Sequence, residues 1–564
     1  MRARRGNTAA TSTAASTIST GSEPGRLAAP TTRTREGYPM ATFAQDDDGI
    51  VVIIGSGAGG GTLANALAKQ KIRSVVLEAG KRHTLEDIEN DEWAMFKKIS
   101  WLDKRIAAGD WHLAENNPNL PAWIVKGVGG STVHWAGIAL RFRDFEFRMR
   151  SINGDIAGAN LLDWPVTLEE MAPWYEKAEK HMGVTGPSTG MAYHPWHNSF
   201  KVLATGAKRV GYKEILSGPM AINTEPYDDR AACQQIGFCM QGCKMGAKWS
   251  TLYTDIPRAE ASGYCEVRPQ SMVLRIEHDA KGKVNGVVYA DAQGTIQRQK
   301  ARVVCVAGNS IESPRLLLNS ASSMFPDGLA NSSGQVGRNY MTHTTAGIFA
   351  VMPKPVNMHR GTTCAGVISD ESYNDPSRGF VGGYRLEILA LGLPFLSAFL
   401  DPTPKGWGRQ FASRMEKYNH MSGVWLCGED LPLESNRITL HANEKDQYGL
   451  PIPVVTKSDH PMDAAMRKHG VAATAKCYEA AGATDVIELP PYPASHNMGT
   501  NRMSAKARDG VVNKWGQSHD IPNLFVSDGS QFTTSGGQNP TLTIVALALR
   551  QAEQIGRLLN ERAI

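Results

Sequence analysis

The chain has 564 residues, 41% of them hydrophobic and 20% charged, which is the composition of a folded protein with a large core. Its formal net charge of +5 is small for this length, and no basic stretch alternates with aromatic residues, so we exclude nucleic acid as a partner. The most apolar stretch, residues 388–400, is too short to cross a bilayer, so we predict no direct membrane span.

Residues 1–45 differ from the rest of the chain in composition. They are rich in Ser, Thr, Ala and Arg with almost no large apolar side chain, so burial cannot offset the entropy of ordering them, and we predict a disordered extension. The pair Arg4-Arg5 is typical of a twin-arginine export signal, but no apolar stretch of about 7–15 residues follows it. We therefore expect no signal peptide here, and Met40 is an alternative translation start.

The first folded segment reads as a strand, a glycine-rich turn, a helix and a second strand. An apolar run leads into Gly55-x-Gly57-x-x-Gly60, and an amphipathic helix and a second strand that ends at Glu78 follow. Ala58, within the glycine motif, is also assigned to cofactor binding. Glycines let the backbone approach a pyrophosphate at the helix N-terminus, and an acid about twenty residues later accepts ribose hydroxyls. The segment predicts a dinucleotide site without deciding between FAD and NAD.

Two later segments have the same glycine-rich and polar character. Residues 124–137 contain a second glycine-rich turn, and residues 523–550 contain a loop followed by a helix that we expect to start after Asn539-Pro540. The residues of these segments that we assign to cofactor binding are Gly129, Gly130, Ser131, Thr132, His134, Trp135, Asp528, Gly529, Asn539 and Thr541.

Three of the eight cysteines share one glycine-rich loop: Cys233, Cys239 and Cys243. Zinc ordinarily takes four ligands, and no fourth cysteine or histidine lies nearby in sequence, while a disulfide would leave one thiol over. Soft thiolates in such a loop suit an iron–sulfur cluster, and a structural loop without metal is the alternative. The other cysteines have mostly apolar neighbours, and we expect them in the core: Cys265, Cys305, Cys364, Cys427 and Cys477.

From about residue 48 onwards the chain resembles the glucose-methanol-choline (GMC) family of FAD oxidoreductases. The motifs that carry the resemblance, in the family's order, are GSGAGGG, LEAG, GVGGSTVHWAG, AGNSIESPRLLLNS, GRNYMTH, SHNMGTNRM and DGSQFTTSGGQNPTLTIVALALR. The resemblance implies an α/β fold, α+β overall, in which a Rossmann-like FAD-binding domain is interleaved with a substrate domain on an antiparallel sheet. It also implies that Val273 and Ala307 contact the FAD.

This interleaving divides the chain into alternating segments. The predicted FAD-binding domain comprises residues 46–140, 231–345 and 490–564, with the cysteine loop at 231–250, and the predicted substrate-binding domain comprises residues 141–230 and 346–489.

The resemblance also assigns the chemistry. Oxidation of an alcohol by hydride transfer to flavin N5 needs a base for the hydroxyl proton, and histidine titrates in the right range. His496, in SHNMGTNRM, occupies the family's position for this base, and Asn539 is implied as its partner on the same substrate oxygen. His134 is similar, in its spacing from a double glycine, to the histidine that can hold flavin covalently in pyranose 2-oxidases, so we expect it to contact the flavin or bond to it.

Within the family, the chain is most similar to the catalytic subunits of bacterial FAD-dependent sugar dehydrogenases. Several of these carry a three-cysteine loop here, which implies a [3Fe–4S] cluster on Cys233, Cys239 and Cys243 that passes electrons from flavin to a cytochrome c or a quinone. We expect oxidation of a secondary or anomeric hydroxyl of a sugar or glycoside. A glucoside 3-dehydrogenase is the first expectation, and a gluconate 2-dehydrogenase or glucose dehydrogenase subunit is the alternative.

Two further interpretations stay open. An oxidase of the pyranose-oxidase type would pass electrons to O2 and use the cysteines structurally, and a flavoprotein without its own substrate would serve only electron transfer or binding. The resembling complexes also imply a small subunit that bears a twin-arginine signal and exports the folded catalytic subunit. We therefore expect a periplasmic location, with the cytoplasm as the alternative.

Overall fold

The computed structural model describes residues 41–98, 110–112, 124–400, 408–489 and 495–564. These residues belong to one unit, Tyr38–Ile564. Most of the extension predicted at residues 1–45 lies outside the described residues. Within its last part, Phe43 donates its backbone N–H to the Glu266 carboxylate at 2.7 Å.

The helices and strands alternate along much of the chain. In chain order, the helices of the described residues are α1 (Ala58–Lys69), α2 (Glu92–Lys98), α3 (Met149–Asn153), α4 (Leu168–Met182), α5 (Asn198–Arg209), α6 (Asp255–Ala261), α7 (Asn309–Asn319), α8 (Leu393–Leu400), α9 (Arg409–Glu416), α10 (Pro461–Ala481) and α11 (Thr541–Asn560). The strands are β1 (Val51–Ile54), β2 (Ser74–Leu77), β3 (Asp110–His112), β4 (Ile215–Ser217), β5 (Cys265–Arg268), β6 (Met272–His278), β7 (Val284–Ala290), β8 (Ile296–Lys300), β9 (Val303–Val306), β10 (Thr344–Val351), β11 (Gly366–Ile368), β12 (Tyr384–Ile388), β13 (Met421–Gly428), β14 (Arg437–Lys445), β15 (Pro451–Thr456), β16 (Asp485–Glu488) and β17 (Leu524–Val526).

A five-stranded parallel sheet has the strand order β17-β9-β1-β2-β5. Its strands β1, β2 and β9 are short runs in which every residue is buried, as expected for a parallel sheet with both faces covered. In the register of the sheet, Ile53 lies between Val76 on β2 and Cys305 on β9. α1 packs against α11 and α6 on this sheet. The fold is therefore Rossmann-like in this half, as predicted.

A six-stranded antiparallel sheet has the order β16-β10-β13-β12-β11-β4. Because side chains alternate between the two faces of a strand, Ile348 and Leu386 pack in the core beneath α5 and α10, whereas Phe349 and Glu387 line a cavity on the other face. Two three-stranded sheets, β14-β15-β3 and β6-β7-β8, complete the fold. The parallel strands come from segments predicted for FAD and the antiparallel strands mainly from segments predicted for substrate, but the exact domain boundaries stay a prediction.

Two sequence patterns can be compared directly with the structure. Thr167 and Glu170 have the sequence spacing of a capping box, and α4 begins directly after Thr167, which accepts from Glu170 N–H at 3.2 Å. The apolar stretch at residues 388–400 ends β12 and forms α8, and Leu389 and Leu391 line the cavity. Within the described part of the chain, no helix combines the length and apolarity needed to span a membrane.

Candidate active site

A cavity of about 310 Å³ lies at the carboxyl edge of the parallel sheet. The adjacent strands β17, β9 and β1 all end there, and each leads into a turn that lines the cavity, at residues 528–529, 307–309 and 55–59. The antiparallel sheet supplies the opposite wall. Ligands bind in this position in open α/β sheets because strand ends and helix N-termini converge on one crevice.

The turn from β1 into α1 has the geometry of a diphosphate site. Gly55 has φ +100°, and a Cβ at this residue would lie 2.4 Å from Ala307 O, so only glycine fits. α1 starts at Ala58 with Gly57 as its N-cap and without a side-chain cap. The N–H groups of its first turn and its dipole are therefore available to the diphosphate of an FAD.

Glu78 is buried beside this turn, at the end of β2. Its Oε2 accepts hydrogen bonds from Ser56 N at 3.0 Å and Ser56 Oγ at 2.7 Å, and its Oε1 accepts from Gly80 N at 2.9 Å. Burial raises the pKa of the carboxyl, and these hydrogen bonds oppose the rise. Oε1 accepts only one of these hydrogen bonds and keeps a second lone pair, which is the acceptor that a ribose hydroxyl needs.

Asp528 joins two of the turns. Its Oδ2 accepts from Asn309 N at 2.8 Å and from Ser313 Oγ at 2.5 Å, both on the β9–α7 side, while its Oδ1 accepts from Ser530 N at 2.8 Å. The carboxylate thus fixes the N-terminus of α7 against the end of β17. This arrangement shapes the cavity wall. It requires a carboxylate at position 528, because both side-chain oxygens accept hydrogen bonds.

Most of the residues predicted to bind the cofactor line this cavity. They are Gly55, Gly57, Ala58, Glu78, Gly130, Ser131, Thr132, His134, Trp135, Val273, Ala307, Asp528, Gly529, Asn539 and Thr541. Gly60 and Gly129 do not line it. A Cβ on Gly60 would lie 2.0 Å from Gly55 O, and Gly129 N–H donates to Ser56 Oγ at 3.1 Å. Both glycines shape the turns beneath the wall instead.

His134 follows a 3-10 turn, Gly130–Val133, and lines the cavity. Its Nδ1 lies 3.0 Å from Met240 O. Because a carbonyl oxygen can only accept, Nδ1 carries the proton and Nε2 carries the lone pair. Burial lowers the pKa of His134 to about 3, so the ring is neutral. Two roles are predicted for His134, contact with the flavin and a covalent bond to it. Either role would involve the neutral form of the ring.

Lys248 connects the His134 turn to the cysteine loop. Its side chain is 1% exposed, and its ammonium donates to Val133 O at 3.0 Å, to Trp135 O at 2.6 Å and to Cys239 O. Burial lowers the pKa of Lys248 to about 8, and the nearby thiols of the loop oppose this. One buried cation therefore fixes the backbone of both segments.

His496 lines the cavity and contacts a second histidine. Its Nδ1 lies 2.7 Å from Nδ1 of His343, and Cys427 Sγ lies 3.0 Å from the same His343 nitrogen. Burial lowers the pKa of His496 to about 4, and burial together with His496 lowers the pKa of His343 well below its usual value. His496 is therefore neutral near pH 7 and able to accept a proton. Cys427 is buried, as expected, but it contacts the site.

Asn539 lies at the same cavity, directly before α11. This helix starts at Thr541, as predicted, with Pro540 as its N-cap, so the Asn539 side chain does not serve as the cap. Its Nδ2 donates to Glu387 Oε2 at 3.3 Å. Glu387 is 3% exposed, burial raises its pKa, and its Oε1 has no hydrogen-bond partner among the described residues. A substrate hydroxyl could occupy that position.

The wall supplied by the antiparallel sheet is mainly apolar. Its members are Phe349, Leu389, Leu391, Trp425 and Leu489. Besides Glu387, this wall includes Cys364, whose Sγ lies 3.7 Å from Glu387 Oε2. Cys364 was expected in the core, and it is indeed buried, although it lies at the site. The site therefore combines one buried carboxyl and one amide with an apolar surface.

Cys233, Cys239 and Cys243 line a separate pocket of about 20 Å³. Cys233 Sγ accepts from Gln235 N–H at 3.3 Å and lies 3.8 Å from Thr362 Oγ1. Burial raises the pKa of Cys233, and it raises the pKa of Cys239 to about 12, so these thiols must lose protons to bind a metal. The loop glycines at positions 237, 242 and 246 all have positive φ.

The spacing of these three sulfur atoms bears on the kind of metal. Thiolates around one zinc ion lie roughly 3.8 Å apart, because each Zn–S bond is about 2.3 Å. In the described part of the chain, the only three donor atoms of His, Cys, Asp or Glu found within 4.8 Å of one another belong to His343, Cys427 and His496. The three thiols of the cysteine loop are not such a set, so in this structure they are not spaced for a single zinc ion.

The chain matches the GMC oxidoreductase family over residues 158–345 and 432–548. It is 33% identical to 2-methyl-1,2-propanediol dehydrogenase of Mycolicibacterium austroafricanum, covering 93% of this chain and 97% of that protein. It is 31% identical to the fructose dehydrogenase large subunit of Gluconobacter japonicus, covering 90% and 97%. A mutant formate oxidase of Aspergillus oryzae RIB40 has a similar fold, with a TM-score of 0.66 at 16% identity, covering 91% of this chain and 98% of that chain.

The chain therefore belongs to the GMC oxidoreductase family, whose members are FAD-dependent enzymes that oxidise CH–OH groups of sugars and alcohols. The predicted family, fold and enzyme class are confirmed.

Sequence reasoning missed several residues of the site. Glu387 and Arg385 are both buried charged residues on β12, and two charges in an otherwise apolar strand were the signal that could have found them. His343 lies in the motif GRNYMTH, but nothing in its neighbours pointed to His496. Lys248 lies near the end of the cysteine loop and gave no local signal.

Proposed function

We propose that this enzyme is a dehydrogenase that oxidises a secondary or anomeric hydroxyl of a sugar or glycoside, with glucoside 3-dehydrogenase activity as the first expectation. The observation that carries the proposal is the placement of His496 and Asn539 in one cavity with the glycine turn and Glu78. Bound FAD would supply the hydride acceptor.

The residues of the chain divide the remaining work. Burial keeps the pKa of His496 at about 4, so the ring is unprotonated near pH 7 and has a lone pair for the hydroxyl proton. Asn539 holds the same oxygen and is itself oriented by Glu387. The apolar wall around Trp425 excludes water from the reacting carbon, so the alcohol is held in one orientation.

A second candidate substrate is a short diol. The sheet wall of the cavity is apolar apart from Glu387 and Cys364, and a relative at 33% identity is named as a 2-methyl-1,2-propanediol dehydrogenase. A panel of methyl glucosides, glucose, gluconate, fructose and 2-methyl-1,2-propanediol, followed by NMR of the products, separates the classes. Turnover of a glucoside at C3 supports the first proposal, and turnover restricted to the diol refutes it.

His496 is tested by His496→Ala. We expect turnover to fall about 10²- to 10⁴-fold with FAD content unchanged, which is the effect of losing a positioned base. His278→Ala is the matched control, since His278 bonds to Ser322 outside the cavity. Near-normal turnover of His496→Ala would remove this residue from the mechanism.

For electron transfer, we propose that Cys233, Cys239 and Cys243 hold a [3Fe–4S] cluster, which would supply a one-electron relay to a cytochrome c or quinone. The supporting observation is the course of the loop. Its residue Ile236 is 44% exposed, while Met240 lines the cavity and accepts from His134. The loop thus extends from the cavity to the solvent.

Iron and labile-sulfide analysis tests the relay. We expect about three irons per chain and a spin-half EPR signal in the oxidised protein, because three ferric ions couple to an odd-electron ground state. Cys239→Ser should lose the signal and acceptor reduction but keep bleaching of the flavin by substrate, and Cys477→Ser is the buried control. Metal-free protein that consumes O2 in turnover would support the oxidase alternative instead.

We also propose that the enzyme works with a small subunit bearing a twin-arginine signal and is exported with it to the periplasm. The support is the name of the relative from Gluconobacter japonicus, which is a large subunit. Co-expression with the neighbouring small open reading frames, followed by fractionation, tests this. Activity found only in the cytoplasm would contradict it.

A further inference from the structure

We propose that His343 is a positioning residue that fixes the tautomer of His496, so that Nε2 of His496 is the nitrogen that accepts the substrate proton. The proposal deepens the function above and depends on His496 being the base. Its starting point is the 2.7 Å contact between the two Nδ1 atoms.

A bond between two imidazole nitrogens needs one proton and one lone pair. If Nδ1 of His343 carried the proton, Nδ1 of His496 would spend its lone pair and Nε2 would be protonated, which leaves no base for the substrate. In the other arrangement, His496 Nδ1–H donates to His343 Nδ1, and Nε2 of His496 keeps its lone pair. Only this second tautomer is active.

The surroundings of His343 favour the second arrangement. Cys427 Sγ lies 3.0 Å from His343 Nδ1, and its S–H can share the lone pair of this nitrogen with His496 Nδ1–H as a second, weak donor. In this arrangement the proton of neutral His343 is on Nε2, which is buried and has no hydrogen-bond partner among the described residues.

The charged and titratable groups that face this pair limit other routes for the proton. Arg385 on β12 disfavours a charge on His343, and Glu387 on the same strand lies close to Cys427 on β13. When the hydroxyl proton moves to Nε2 of His496, the positive charge stays on His496. Its Nδ1–H keeps the bond to neutral His343, and that bond becomes stronger because its donor is now charged.

The first test needs no substrate. In protein labelled with ¹⁵N-histidine, we expect Nδ1 of His496 to have the shift of a protonated ring nitrogen and Nδ1 of His343 that of an unprotonated one. His343→Leu should return His496 to a mixture of tautomers. The reverse assignment in wild-type protein overturns the proposal.

The second test compares His343→Leu with His343→Asn, whose amide oxygen can replace the acceptor. With the substrate that the panel identifies, we expect His343→Leu to slow anaerobic flavin bleaching about 10- to 100-fold. This is the expected effect of losing one hydrogen bond to a charged group. The acid limb of the pH profile should move to lower pH in this variant, because the protonated His496 loses its acceptor. His343→Asn should remain within about threefold of wild type, with an unmoved limb.

Two outcomes overturn the proposal. If His343→Leu has the wild-type rate and pH profile, the contact between His343 and His496 does not affect catalysis. If both variants lose the same activity and their pH profiles do not move, the role of His343 is purely structural. Failure of the base itself is distinguishable, because His496→Ala would then turn over normally. If His496→Ala is inactive while His343→Leu is normal, His496 stays the base and only the role of His343 is lost.

Discussion

Lys248→Met is expected to weaken the His134 turn and the cysteine loop together. Methionine is similar in length and apolar, so the change removes the ammonium without opening a large cavity. It removes the donor of three hydrogen bonds, to Val133 O, Trp135 O and Cys239 O. These carbonyl groups belong to two segments that Lys248 holds in place.

The expected magnitude follows from two opposing effects. A buried acceptor left without a donor costs about 1–3 kcal/mol, so three carbonyls cost about 3–9 kcal/mol. Burying the Lys248 ammonium is itself unfavourable, as its lowered pKa of about 8 indicates, and removing it returns several kcal/mol. The net destabilisation is expected at about 3 kcal/mol, or about 3 °C in melting temperature for a unit of about 500 residues.

During a thermal ramp, flavin fluorescence reports local loosening of the flavin site, and helical circular dichroism reports global unfolding. Because the lost bonds are concentrated at residues 133–135 and at Cys239, flavin release in Lys248→Met should precede loss of helical circular dichroism. Lys281→Met, in an exposed turn, is the control and should melt like wild type. A Lys248→Met protein with wild-type melting and simultaneous loss of flavin and helix would refute this reasoning.

Three further predictions concern single side chains. Gly59→Ala should abolish FAD binding in expressed protein, since its Cβ would lie 1.5 Å from Ser527 O, although alanine normally stabilises a helix. His197 is buried and its pKa is lowered to about 4, so the native state binds fewer protons than the unfolded state between pH 4 and 6.5, and stability falls as pH drops through this window. Urea titrations of His197→Leu at pH 7.5 and 5 should show about 2 kcal/mol less acid destabilisation than wild type, and an equal pH dependence would contradict this. Glu387→Gln should keep kcat/KM within about threefold, because it retains a partner for Asn539, whereas Glu387→Ala should lose at least about tenfold.

Local patterns allowed much of the fold and cofactor site to be predicted. The turn at Gly55, the capping box of α4 and the start of α11 after Pro540 each depend on residues within a few positions of one another. Such contacts are encoded by short motifs, so sequence reasoning found them. Gly60 and Gly129, which were predicted to bind the cofactor, do not line the cavity but lie in the turns beneath its wall.

The contacts that orient the base could not be predicted in this way. His343 and His496 are 153 positions apart, and Asn539 and Glu387 are 152 positions apart. Both pairs form only when the antiparallel sheet packs on the parallel one. Apolar patterns place a residue on a face of a strand, but they do not specify which distant polar group lies opposite.

β9 lies between β1 and β17 in the parallel sheet, so the sheet is completed by the strand that is synthesised last. About 218 residues separate the end of β9 from the start of β17, which corresponds to about 11–44 s of translation. During that time the edge of β9 is open to pairing with other chains, which is an aggregation risk. Asn539 is made later still. Flavin loading must therefore follow synthesis, and a ribosome-stalled chain ending before Leu524 should bind no FAD.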